Sequence, residues 1–178
     1  MITYISLPVE ISQAKNFMEI YRDRGYGKNV LGVTDDEFLR FIFIGKLCEI
    51  AFTSILRERS VLFAADDQLI PAAGAHRIGA DLVLTKSNQG VDVKAAHAAY
   101  HTRILVREDQ FQAHVHDLYV GAKYVTDQRI DFFGYITGSE LSEVAPRDFG
   151  KGLARYFQLD LLKPIEKFIE LARAGKVV

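Results

Sequence analysis

One cysteine, Cys48, stands among the 178 residues, so the chain can form no intramolecular disulfide and no thiolate zinc cluster. That is the usage of a protein in a reducing cytoplasm. No apolar run approaches the roughly 20 residues that cross a bilayer. The start MITYISLPVE also lacks the basic stretch followed by an apolar one that marks a secretory leader. A cytoplasmic chain with no membrane partner is therefore expected. Charge of one sign is missing too: 22 Lys and Arg stand against 23 Asp and Glu, for a net −1. This argues against a large non-specific DNA-binding surface, which would be basic. It leaves room for an acidic site offset by a local basic patch, because affinity follows where charges sit. Repeats and low-complexity tracts are absent. What is present is ordinary globular composition, 49% hydrophobic and 25% charged. The length suits one domain over residues 1–178, large enough to bury a core without disulfides.

The most informative stretch is GADLVLTKSNQGVDVKA, residues 79–95. Asp81–Leu84 and Val91–Lys94 favour strand, and Lys86–Gly90 between them has turn composition, so the segment predicts a β-hairpin. Alternation puts Leu82, Leu84, Val91 and Val93 on a buried face and Asp81, Asp92 and Lys94 on the other. Two carboxylates brought to one point repel unless a cation sits between them. Oxygen ligands without Cys or His favour Mg²⁺ or Mn²⁺ over zinc. Lys94, two residues beyond Asp92, can reach a water on that metal or a substrate phosphate. Asp92-Val93-Lys94 is the only Asp-x-Lys or Glu-x-Lys in the chain. Its alternative is a chance tripeptide on a solvated strand face.

Taken in order, residues 2–7 suit a short edge strand. Residues 8–24 suit a helix, with Ile11, Ala14, Phe17, Met18 and Tyr21 at helical spacing. Arg22, Arg24 and Lys28 flank Gly25 and Gly27 in a basic loop that could clamp a phosphate backbone, or simply end the helix in solvent. Thr34 followed three residues later by Glu37 is a capping box, so a long helix is expected from Asp35 to about Glu58. Its apolar stripe is read as Phe38, Phe41, Ile42, Gly45, Phe52, Ile55 and Leu56, and Glu49 falls on it. A carboxylate there needs a partner: the hairpin's metal, or Lys46 or Thr53 on the same helix.

A strand at Val61–Phe63 and a turn at Asp66–Gln68 follow, and His76 and Arg77 stand in a loop where substrate could approach. Beyond the hairpin, a strand is expected at residues 102–106 with Ile104, Leu105 and Val106 buried, then a short helix at residues 108–114 bearing Gln110. Strands at residues 117–125 and 129–136 join through a tight turn. Short helical signal at GSELSEV, a strand at Leu153–Leu159 and a helix opened by Pro164 complete the chain. His114 and His116, and His97 and His101, invite a zinc reading. Lacking cysteines and a third ligand, they are taken as structural or solvated.

An acidic helix residue, then Asp at the head of a strand, then Asp-x-Lys on its hairpin partner, resembles the PD-(D/E)-x-K nuclease superfamily. The matching residues are Glu49, Asp81 and Asp92-Val93-Lys94, with ten residues between the two aspartates. Ala80 stands where the motif's name has proline. The resemblance implies an α/β, restriction-endonuclease-like fold, a mixed central sheet flanked by helices. Its catalytic core would span residues 35–136, closed by a strand and helix over residues 153–174. It implies Mg²⁺-dependent hydrolysis of DNA phosphodiesters, as in a restriction or repair endonuclease, with Mn²⁺ able to substitute. Asp81, Asp92 and the Val93 carbonyl would hold the metal, and Glu49 would act directly, through water or at a second metal. Lys94 would orient the water and stabilise the transition state. Gln110 could help place the phosphate, and Arg22–Asn29 and Arg147–Arg155 are candidates for reading bases. Members that cut both strands act as dimers, so a homodimer is implied. The rival readings are a non-catalytic DNA-binding or protein-interaction module on the same fold, and an unrelated α/β protein whose acidic residues never meet.

Overall fold

The computed structural model describes residues 1–23, 34–65, 79–98, 100–150 and 152–176. Strand β1 (Ile2–Ile5) leads into helix α1 (Pro8–Asp23). Glu10, 5% exposed, ties this start down. Its carboxylate accepts hydrogen bonds from Leu7 N–H (2.8 Å), the Tyr4 hydroxyl (2.7 Å) and the Ser54 hydroxyl (2.6 Å). Ser54 lies on helix α2 (Asp35–Glu58), which opens on the expected capping box. The Thr34 hydroxyl accepts from Glu37 N–H at 3.2 Å, and Glu37 accepts from Thr34 N–H at 3.1 Å.

The apolar stripe of α2 differs from the one expected. Phe38, Phe41, Ile42 and Gly45 are only partly buried, whereas Phe43, Ile44, Lys46, Leu47, Cys48 and Ala51 are buried. The cause is tertiary: α1 packs on one side of α2 and the sheet on another, so the buried arc is wide and rotated from the periodic guess.

Strands β2 (Phe63–Ala65), β3 (Leu82–Leu84) and β4 (Gln89–Ala96) form an antiparallel meander. The first begins later than Val61, whose N–H is still spent on Leu56 O at the end of α2. Strand β5 (Arg103–Arg107) and helix α3 (Glu108–Ala113) cross over to β6 (Leu118–Thr126), which lies parallel to β4. Strand β7 (Arg129–Thr137) returns antiparallel to β6 and ends on helix α4 (Gly138–Ser142). Then follow β8 (Arg147–Asp148), β9 (Leu153–Gln158), β10 (Lys163–Pro164) and helix α5 (Ile165–Ala174).

The central sheet is mixed, in the order β1-β7-β6-β4-β3-β2, with β10 also on β7. Strand β9 does not close it, but pairs with β5 and β8 in a second, small sheet. Helices α1, α2 and α5 cover one face of the central sheet, where Phe52, Phe132 and Phe168 meet at ring separations of 5.5 and 5.7 Å. Truncating any of the three would cost about 3–5 kcal/mol. The small sheet, α3 and α4 supply the apolar residues of the other face, among them Ile104, Val106, Phe111 and Leu141 around Tyr119 and Ile136. Leu105, expected to be buried, points outward and is 44% exposed, because β5 belongs to this thin layer and is covered on one side. Gly134 lets the chain close over the sheet: a Cβ there would stand 2.0 Å from Lys163 O.

Arg155, grouped by sequence with base-reading candidates, is instead a structural cation, 8% exposed. Its guanidinium grips Glu108 at 2.8 and 2.9 Å, donates to the carbonyls of Ser142 (2.7 Å) and Val144 (2.8 Å), and lies 4.4 Å above the Phe111 ring. Among the described residues no helix is long and apolar enough to cross a membrane.

Candidate active site

The β3–β4 hairpin turns through residues 85–88, where Asn88 takes a left-handed φ of 57° and its N–H returns to Leu84 O at 2.8 Å. Leu82 opposes Val91, so Leu82, Leu84, Val91 and Val93 sink together into the helix-covered core. Alternation then places Asp92 and Lys94 on the opposite face, as the sequence predicts. Asp81 lies one residue before β3 and is pinned across the hairpin, accepting the Val93 N–H at 2.7 Å.

Asp81 and Asp92 lie close enough for each carboxyl to act on the other, and the Lys94 ammonium lies 2.8 Å from Asp92 Oδ2. Burial pushes the Asp81 carboxyl well above the usual range, and the charges of Glu49 and Asp92 push it further, against Lys94 and the Val93 N–H. Burial also pushes Asp92 up, but the charge and hydrogen bond of Lys94 and the charge of His116 outweigh it, leaving Asp92 below its ordinary value. Crowding thus drives the two carboxyls apart, Asp81 upward and Asp92 downward. Burial pulls Lys94 down, yet Asp92 and Asp81 more than restore it and keep its ammonium charged.

The structure therefore gathers Asp81, Asp92 and Lys94, with the Glu49 carboxylate near enough to act on Asp81. Glu49 does not sit on the stripe assigned to it but at the half-buried margin of α2, and Lys46 Nζ holds its Oε2 at 2.8 Å. Of the two helical partners considered for it, Lys46 is the one bonded; Thr53 gives its hydroxyl to Ile50 O.

Two neighbours were not anticipated. His116, read as structural or solvated, has Nε2 at 3.8 Å from Asp92 Oδ2 and is 12% exposed. Burial holds its imidazole below the usual range despite the pull of Asp92. Tyr119 lies directly beside Asp92 across the parallel β4–β6 pairing, and its hydroxyl accepts the His116 N–H at 3.1 Å. A signal for these residues would have required knowing that β4 and β6 are neighbours, which no local pattern states. His97, by contrast, stacks on Phe41 at 4.5 Å.

Gln110 is exposed on α3, and Arg22 is exposed at the end of α1 with Asp23 at 3.4 Å. Arg24, Lys28, His76 and Arg77 lie outside the described residues. Among the described residues no three His, Cys, Asp or Glu side chains close around one point as a finished metal cage. A divalent cation nevertheless fits the donor chemistry of the Asp81–Asp92 pair, two neighbouring oxygen-ligand carboxyls whose mutual repulsion a cation relieves. Neither family models nor curated proteins give a match to this chain.

Proposed function

We propose that the protein is a metal-dependent deoxyribonuclease of the restriction-endonuclease-like type, hydrolysing DNA phosphodiester bonds with Mg²⁺ or Mn²⁺. The observation that carries the reading is the neighbouring Asp81 and Asp92 carboxyls with Lys94 fixed beside them, on the sheet face opposite α1, α2 and α5. An acidic helix residue ahead of the hairpin, a mixed sheet and flanking helices support the same reading.

Asp81, Asp92 and the Val93 carbonyl would hold the cation, which supplies positive charge against the phosphate and makes water more acidic. Asp92 keeps its negative charge because the Lys94 ammonium, 2.8 Å away, stabilises it. Lys94, rigidly placed and charged, donates to the oxygen that gains charge during displacement and orients the attacking water. The Val93 N–H keeps Asp81 turned toward Asp92. Cutting both strands of a duplex would use two copies of the chain.

The test is cleavage of plasmid, linear and branched DNA with Mg²⁺ or Mn²⁺, with Lys94→Ala and Asp92→Ala as controls. Cleavage that requires the cation and both side chains is expected. Metal-independent binding of DNA without cleavage, unchanged in both variants, would replace this reading with a non-catalytic DNA-binding module.

A further inference from the structure

Resting on the metal-dependent reading, we infer that the site takes one divalent cation, not two, and that Lys46 is the reason. A second cation would need Glu49 as its ligand, because Asp81 and Asp92 already serve the first. Glu49 is engaged: Lys46 Nζ lies 2.8 Å from its Oε2.

That lysine is not a surface chain able to swing away when metal arrives. It is 6% exposed, its ammonium lies 4.6 Å from the centre of the Phe17 ring on α1, and its backbone is in the middle of α2. Releasing Glu49 would strand a buried ammonium on an aromatic face without its carboxylate, a state that costs several kcal/mol. Lys46 therefore holds the position, and supplies the positive charge, that a second cation would otherwise take.

Charge count points the same way. Among the described residues the cluster has three carboxyls, Glu49, Asp81 and Asp92, against two ammoniums, Lys46 and Lys94. With all five groups charged the cluster carries about −1, so one dication brings it to about +1, suited to one phosphate, whereas two dications would leave about +3 in a half-buried cluster. Glu49 then acts on the cation through its field or through water, and Lys46 is a positioning residue.

Manganese binding to the full chain tests this by calorimetry and by the Mn²⁺ electron-spin signal, which counts bound ions and detects coupled pairs. One uncoupled Mn²⁺ per chain is expected. Glu49→Gln should weaken it by about tenfold, the effect of an outer-shell partner, while Asp92→Asn should remove measurable binding. Lys46→Met, which keeps the apolar packing against Phe17, should free Glu49 and either admit a second ion or tighten the first. Two coupled ions in the unmodified protein would overturn the inference while leaving the metal reading intact, as would a Glu49→Gln loss equal to that of Asp92→Asn. Unchanged count and affinity in a folded Lys46→Met would overturn it too. No Mn²⁺ binding at all would sink the metal reading, and this inference with it.

Discussion

Two groups of buried charge occupy this molecule, and they are built on opposite principles. Arg155 has every edge of its guanidinium spent: a bidentate carboxylate, two short contacts to carbonyls at the end of α4 and an aromatic face beneath. The Asp81–Asp92 pair is the reverse, two like groups pressed together, one carboxyl driven up and the other down. A closed ion pair locks elements together, here α3, α4 and β9. A crowded like-charge pair stores electrostatic tension that a cation or substrate can release. Burial alone does not tell the two apart; the sign of the nearest charged neighbour does.

The contrast breaks most sharply at Asp92. Asp92→Asn should lower Mg²⁺-dependent cleavage by about 10³-fold or more, while the urea midpoint stays close to that of the unmodified chain. A collapse of folding with no specific loss of cleavage would make Asp92 as structural as Arg155. Next in size, Arg155→Met should destabilise the protein by about 3–5 kcal/mol in urea titration, without altering Mn²⁺ affinity. Adding Glu108→Met should recover part of that loss, because the carboxylate left behind is then removed as well.

Smaller again is a pH effect at His97, whose imidazole burial pushes down to about 4, with His101 and Arg40 adding to it. The unfolded residue titrates near 6.5. Between those values the unfolded chain binds the extra proton, so stability held above about pH 6.5 is lost as pH falls toward 4, by about 3 kcal/mol. His97→Gln should flatten the urea midpoint against pH over this window. The smallest effect belongs to Asp81→Asn, which removes one of two crowded carboxyls and should raise metal-free stability by about 1 kcal/mol. A loss of several kcal/mol there would mean that the pair is not under tension.

Much of the fold was legible where the signal was local. The capping box at Thr34 and Glu37 starts α2 as read, the hairpin keeps Leu82, Leu84, Val91 and Val93 to one side, and α5 buries Ile165, Phe168, Ile169 and Ala172 as its periodicity says. Errors arose where a second layer decided burial. Leu105 faces out because its sheet has cover on one side, and the buried arc of α2 is rotated because α1 and the sheet both claim it. For the site, the sequence contained Asp81, Asp92 and Lys94 as a strand-borne set, and Glu49 as a carboxylate in need of a partner.

The amino-acid sequence by itself determined the period of each element, the caps and turns that bound them, and the face on which the hairpin's charges project. These depend on neighbours within a few residues, through backbone hydrogen bonding and side-chain alternation. Tertiary structure alone decided that β6 lies parallel to β4, which brings His116 and Tyr119 to Asp92. It also decided that Lys46 is buried under Phe17 with Glu49 in its grip, and that Arg155 closes a network from across the chain. The reason is physical: the charge state of a buried group depends on what surrounds it in space, and those surroundings come from segments up to tens of residues apart.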